Sequence, residues 1–171
     1  MSLSFQPVTT REAIEIASRL AAEIWKEHYI GIISAEQIEY MLDKFQSAHA
    51  IADQIEHQGY EYYLMQADGI NAGYLAIRPE NSKMFLSKLY LLKEHRGRGY
   101  GSRAIRFLAE LCKERKLNAI WLTVNRHNAS SIAVYERNGF RTVRTQVADI
   151  GGGFVMDDYV MEKEISPAEA L

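Results

Sequence analysis

Between residues 93 and 106 the chain reads KEHRGRGYGSRAIR, with Gly97, Gly99 and Gly101 alternating with Arg98 and Tyr100. Glycine has no Cβ, so such a stretch can turn tightly and let a ligand approach the main chain. Successive N–H groups can then converge on one anion. A helical pattern starts directly afterwards, and a helix N-terminus adds about half a positive charge. Lys93, Arg96, Arg98, Arg103 and Arg106 stand against Glu94 alone. A plain tight turn before a solvated basic helix would use some of the same residues. Three glycines in five positions, interleaved with arginines, favour a phosphate cradle.

The rest of the chain is close to neutral. It has 171 residues, a net charge of −2 and 47% hydrophobic residues. These numbers suit one domain over 1–171 with a sizeable core. A local basic patch on a near-neutral protein points to a small anionic ligand and away from nucleic acid. No apolar run approaches the roughly 20 residues of a membrane helix, so no membrane partner is expected. The single cysteine, Cys112, rules out an internal disulfide and suggests a reduced, cytoplasmic setting. It shares an apolar helical face with Leu108 and Leu111, which makes it a core residue. Residues 1–3 are given no weight, and the polar tail at 166–171 is expected to fray.

The elements follow from pattern. "FQPV" reads as a first strand. Thr10 caps a helix with Ile14, Ala17, Leu20, Ala21, Ile24 and Trp25 at helical spacing. Ser34 with Gln37 resembles a capping box opening a second helix, and "SAHAIADQIEHQ" is a third. "YEYYLMQA" and "NAGYLAIRP" flank "DG", a hairpin signal. "MFLSKLYLL" is a buried strand leading into the glycine loop. Ala104, Ile105, Leu108, Leu111 and Cys112 line the next helix, "AIWLTV" is a strand and "NASSIAVYERN" a short helix ending at Gly139. Two strands close the chain around "GGG". The sum is an α/β (α+β) fold, with a mixed central sheet of about seven strands flanked by helices. The helix after the glycine loop makes its flanking strands near-parallel.

"GYGSRA" formally matches a dinucleotide fingerprint, but "KEH" and Arg96 separate it from its strand. The next strand also ends in Asn125 and Arg126 where an acid is needed. A P-loop is excluded because no GK[ST] follows. "RGRGYG" instead fits the Q/R-x-x-G-x-G/A signature of the GCN5-related N-acetyltransferase (GNAT) superfamily, and "NASSIAVYERNGF" resembles its N-x-x-x-x-x-x-Y-x-x-x-G-F segment. Element order is similar from about residue 4 to 165. The chain is therefore identified as a member by two motifs in the correct order.

The resemblance implies acetyl-CoA as acetyl donor. Its pyrophosphate would lie on Arg96, Gly97, Arg98, Gly99, Tyr100, Gly101 and Ser102, and its pantetheine arm along the backbone of Leu89, Tyr90 and Leu91. Arg98, Arg103 or Arg126 could reach the ribose phosphate. Asn128 matches the family asparagine on the cofactor arm and also suits a helix N-cap; Ser131 is a second contact. Tyr135, seven residues on and on the same helical face, matches the tyrosine that protonates the leaving thiolate; a phenol titrating near pH 10 keeps that proton at neutrality. It could equally anchor the core. Histone-type members carry a glutamate early in the fourth strand, and "MFLSK" has none. Glu27, His28, Glu61, Asp158 or a water chain remain as bases, and a strand amide near Leu91 would face the oxyanion.

By the same analogy Trp25, His28 and Tyr29, with Asp149, Asp157, Asp158 and Tyr159, line the acceptor pocket. Aromatics with carboxylates suit a small cationic amine. His95 and His127 read as loop or surface residues, and no cluster has metal spacing, so no metal is expected. The expected activity is transfer of an acetyl group to a primary amine of a small molecule, by direct attack in a ternary complex. A non-catalytic acyl-CoA-binding sensor is the alternative. Homodimers are common among proteins of this resemblance.

Overall fold

The computed structural model describes residues 2–166. In chain order it contains β1 (Leu3–Pro7), α1 (Arg11–His28), α2 (Ala35–Gln46), α3 (Ala48–His57), β2 (Glu61–Ala67), β3 (Ile70–Glu80) and β4 (Lys83–Leu91). After a 3₁₀ turn at Lys93–His95 come α4 (Tyr100–Arg115), β5 (Ala119–Asn125), α5 (Ala129–Arg137), β6 (Arg141–Gly151) and β7 (Phe154–Glu164). The expected α/β order and mixed seven-stranded sheet are present, with strand order β1-β2-β3-β4-β5-β7-β6. Leu3, set aside in the sequence, pairs with Ala67 and opens β1. Apart from Ser166, the tail expected to fray lies outside the described residues. No helix among those residues is long and apolar enough to cross a membrane. The chain divides into two compact units, Met1–Arg78 with Lys88–Tyr100, and Pro79–Ser87 with Gly101–Leu171.

In the first unit, local chemistry fixes the helix starts. The hydroxyls of Thr10, Ser34 and Ser47 accept the N–H groups of Ala13, Gln37 and Ala50, each at 3.1 Å. Ala17, Leu20, Ala21, Ile24 and Trp25 are buried, as the helical spacing of α1 requires. Asp68 and Gly69 both take positive φ, the pattern of a type I′ turn joining β2 to β3. A buried polar network ties helices to strands. Gln46 donates to the Tyr62 hydroxyl (2.9 Å) and accepts from Tyr74 (2.6 Å), while Tyr62 donates to Gln54. Burial holds both phenols above their usual range, so they stay protonated and able to donate.

In the second unit, α4 buries Ala104, Ile105, Leu108 and Cys112, and the Cys112 sulfur lies 3.8 Å from that of Met84 at the start of β4. Burial pushes the Cys112 thiol up to about 11, which makes it inert. Gly139 takes φ +92° as the left-handed residue ending α5. The "GGG" turn between β6 and β7 places all three of its glycines at positive φ.

Strand β4 departs from expectation in one respect. Only Met84 and Leu86 are fully buried along it. Its parallel ladder with β5 covers three pairs, Lys83–Ala119, Met84–Ile120 and Phe85–Trp121, and ends there. Residues 86–91 continue outside that ladder. On the β3 side the strand is held close: a Cβ at Gly73 would lie 2.1 Å from the Tyr90 carbonyl oxygen and 3.0 Å from Leu91 Cα. A methyl group there must push two backbones apart. Gly73→Ala is expected to cost about 1–3 kcal/mol, read as a lower urea midpoint at unchanged slope. An unchanged midpoint would mean the strands separate without penalty.

Candidate active site

The glycine loop is built as an open cradle. Gly97 and Gly99 take φ +77° and +79°, and a Cβ on either would meet nothing within 4 Å. These glycines are therefore required by backbone conformation, and the space beside them is left open. Gly101 differs, since it lies in the first turn of α4 and a Cβ there would meet Val134 of α5 at 3.7 Å. Ser102 accepts a hydrogen bond from the Asn138 amide at 2.9 Å, so the first turn of α4 is tied to the end of α5. Arg98 is exposed, and the Tyr100 ring is buried (2% exposed) beside His95. Only the Tyr100 main chain is thus left to face a ligand.

The Arg96 side chain is engaged within the protein. Its guanidinium makes two hydrogen bonds to Glu27 at the end of α1, at 2.7 and 3.2 Å, and its Nε donates to the Leu91 carbonyl at 3.1 Å. The hydrogen bond from Arg96 holds the Glu27 carboxyl below its usual range, against the opposing effect of partial burial. Glu27 is thereby engaged as an anchor for the loop, which removes its attraction as a base. The sequence offered no local signal for this pair, because its members lie 69 residues apart.

Asn128 is 4% exposed and caps α5, its Oδ1 accepting from Ser131 N–H at 3.3 Å. Its own N–H donates to the carbonyl of Asn125, the last residue of β5. The half-buried Tyr135 packs its ring edge-on against Phe140, with centroids 5.5 Å apart.

Trp25, His28 and Tyr29 come together as expected, and Tyr90 of β4 joins them. The Tyr29 and Tyr90 hydroxyls are 2.8 Å apart. Trp25 meets both rings edge-on, at 5.9 and 5.6 Å, and His28 lies 5.1 Å from Tyr29 and 6.1 Å from Tyr90. Burial, and then the Arg96 charge, lower the pKa of His28, so its imidazole is neutral near pH 7. Lys88 was not foreseen. Burial, aided by the nearby Arg78, brings its ammonium down to about 8. The Lys88 Nζ and the Arg78 guanidinium lie 5.9 and 4.7 Å from the Tyr60 ring.

Asp158, in the second unit, is buried, while Asp157 pairs with Arg126 at 3.1 Å. Arg126 also lies over the Tyr159 ring, at 5.5 Å. Asp149 accepts from the Gly151 N–H and serves the turn. Among the described residues no group of three His, Cys, Asp or Glu side chains could hold a metal ion.

Residues 19–140 match the Acetyltransferase (GNAT) family. The chain belongs to that family. It is an N-acetyltransferase with acetyl-CoA as donor. It is similar to the spermidine N(1)-acetyltransferase of Thermoplasma acidophilum, with 27% identity over 90% of this chain and 92% of that one. The PaiA N-acetyltransferase of the same organism, solved with coenzyme A, superposes with a TM-score of 0.78 at 25% identity over 96% and 99% of the two chains. The Escherichia coli ribosomal-protein-S18-alanine N-acetyltransferase, at 16% identity, TM-score 0.71 and coverage of 96% and 95%, shares the fold.

For an acetyltransferase, the Arg96–Glu27 pair matters because it fixes the main chain on both sides of the loop entrance. Both side chains are partly exposed, so their mutual contribution is at most about 1 kcal/mol, roughly fivefold in binding. Arg96→Gln and Glu27→Gln should each weaken coenzyme A binding by about two- to fivefold in titration calorimetry, and the double variant no further. Additive losses would mean that the two residues act separately.

Proposed function

We propose that this enzyme acetylates a primary amine of a small, cationic molecule by direct attack on acetyl-CoA in a ternary complex. The observation that carries the donor side is the course of β4. Its ladder to β5 ends at Phe85, and residues 86–91 lead straight to the open loop. The pantetheine arm adds to the main chain of Leu89, Tyr90 and Leu91 as an extra strand would. The pyrophosphate sits on the amides from Arg96 to Ser102, at the start of α4. Asn128 and Ser131 contact the arm from α5.

The acceptor enters beside Trp25, His28 and Tyr29. Their rings, with a neutral imidazole among them, favour a cation by its charge on aromatic faces and do not repel it. Similarity to a spermidine N(1)-acetyltransferase across 90% of the chain supports an amine of the polyamine type. The amine nitrogen, once deprotonated, attacks the thioester carbonyl. The carbon–sulfur bond then breaks, and Tyr135 gives its phenolic proton to the departing thiolate. The resulting phenolate recovers a proton from the acylated nitrogen.

Thiol release from acetyl-CoA, measured against spermidine, spermine, amino sugars and N-terminal peptides, tests the acceptor. Turnover should be fastest with the polyamines. Tyr135→Phe should lower kcat by roughly 10²- to 10⁴-fold while the thermal shift given by coenzyme A is kept. Turnover confined to peptides would overturn the acceptor class, and an unaffected Tyr135→Phe variant would overturn the acid.

A further inference from the structure

Asp158 is 5% exposed, and among the described residues its Oδ1 has no hydrogen-bond partner. Such a carboxylate is unfavourable unless something else meets it. Its surroundings do not neutralise it. Directly opposite on β5 stands Asn125, and opposite on β6 stands Gln146, both uncharged. The nearby cations are turned elsewhere. Arg126 pairs with Asp157, and Arg144 of β6 donates to the Gln146 side chain at 3.2 Å. Among the described residues Asp157 is the charged neighbour that acts on it, and it repels. Tyr159, the next residue, points to the other side of the strand and lies under Arg126.

The position has a chemical context. Asn125 is the last residue of β5, and the carboxyl ends of parallel strands are where open α/β sheets gather ligands. The turn that follows is fixed around this corner. Arg126 N–H donates to the Asp157 carbonyl (3.1 Å), His127 N–H to Asn125 Oδ1 (2.9 Å), and Asn128 N–H to the Asn125 carbonyl (2.9 Å). Helix α5, with Tyr135, starts there. The corner thus joins an unpaired buried carboxylate to the helix that carries the leaving-group acid.

We propose that Asp158 is the catalytic base, accepting the proton of the acceptor ammonium before the nitrogen attacks. The proposal rests on the amine-acetylation reading above. In the step, the carboxylate takes one proton from the ammonium and becomes a neutral acid, and the amine gains its lone pair. The amine then forms the new carbon–nitrogen bond as the carbon–sulfur bond breaks. The thiolate is protonated by Tyr135, whose phenolate recovers a proton from the acylated nitrogen, and Asp158 later releases its proton to solvent. One proton leaves per turnover. Burial, then repulsion from Asp157, raise the Asp158 pKa to about 6, so the group is ionised at neutral pH yet more basic than an ordinary carboxylate. Glu27 is held by Arg96, which leaves His28, Glu61 and a water chain as the competing bases.

The test is a pH–rate profile of the whole protein from pH 5 to 9, with acetyl-CoA and spermidine. Wild-type kcat/KM should fall on the acid side with a midpoint near 6. Asp158→Asn should lower kcat by roughly 10²- to 10⁴-fold, abolish the acid limb and leave coenzyme A binding intact. A merely structural residue would not move that limb alone. Stability gives an independent readout. Because the folded pKa lies above the unfolded one, the native state loses stability as pH rises from about 4 to 6 and stays penalised above it. Asp158→Asn removes that penalty, so its melting temperature at pH 8 should exceed that of the wild type. Retention of the limb in Asp158→Asn overturns the proposal, as does a rise in the spermidine KM alone or loss of the limb in His28→Gln instead. If wild type binds coenzyme A but releases no thiol with any amine, the acetylation reading falls and this proposal with it.

Discussion

Backbone hydrogen bonding along β4 is the constraint on which the site depends. The strand makes three parallel pairs with β5, and then the ladder stops. On the other side Gly73 lets β3 approach so closely that no Cβ would fit against the Tyr90 carbonyl. The Arg96 guanidinium takes the Leu91 carbonyl where the strand ends, and the Leu92 N–H donates to the Ala72 carbonyl. The strand is thus secured from one side and at its tip. A strand held this way stays in place beyond the point where its ladder to β5 ends, whereas a loose strand edge invites nonspecific pairing. Glycine at position 73 and arginine at position 96 serve the same end by opposite means, one by absence of a side chain and one by its reach.

Polar groups give the first unit a rigidity that hydrophobic packing alone would not specify. Gln46 and Gln54 meet the hydroxyls of Tyr62 and Tyr74 in the core, so α2 and α3 are locked to β2 and β3 by directional bonds. Each donor has a defined acceptor, and a shift by one residue along a strand would break them all. Tyr74 lies 5.8 Å from Tyr90, whose hydroxyl meets that of Tyr29. The orientation of the aromatic group around Trp25 and His28 is therefore set from the core outward.

Much of this was legible in the sequence because it is local. Caps at Thr10 and Ser34, the Asp68–Gly69 turn, the apolar stripes of α1 and α4, and the two family motifs all follow from residues within a few positions of each other. What was not legible depends on long-range pairing. Arg96 reads as a phosphate ligand from its motif, and only the fold brings Glu27 to it. Tyr90 was credited with its backbone alone because its hydroxyl partner is 61 residues away. Asp157 and Asp158 of β7 were read together as lining the acceptor pocket. Within a strand, however, alternate residues face opposite sides, so one aspartate stays half-exposed with Arg126 and the other is buried. That period of two was readable from Phe154 to Glu164.

The withdrawal of Arg96 changes how anion selectivity should be understood. A loop that relied on guanidinium charge would attract any polyanion, and its affinity would fall steeply with salt. Here Arg96 is neutralised by Glu27, and the amides of a left-handed glycine turn and a helix start stand beside the exposed Arg98. Such donors have fixed directions and act over short range. They reward an anion of the right shape more than one of high charge. On a chain of net charge −2, that favours a compact anion of defined shape over a long polyanion such as nucleic acid.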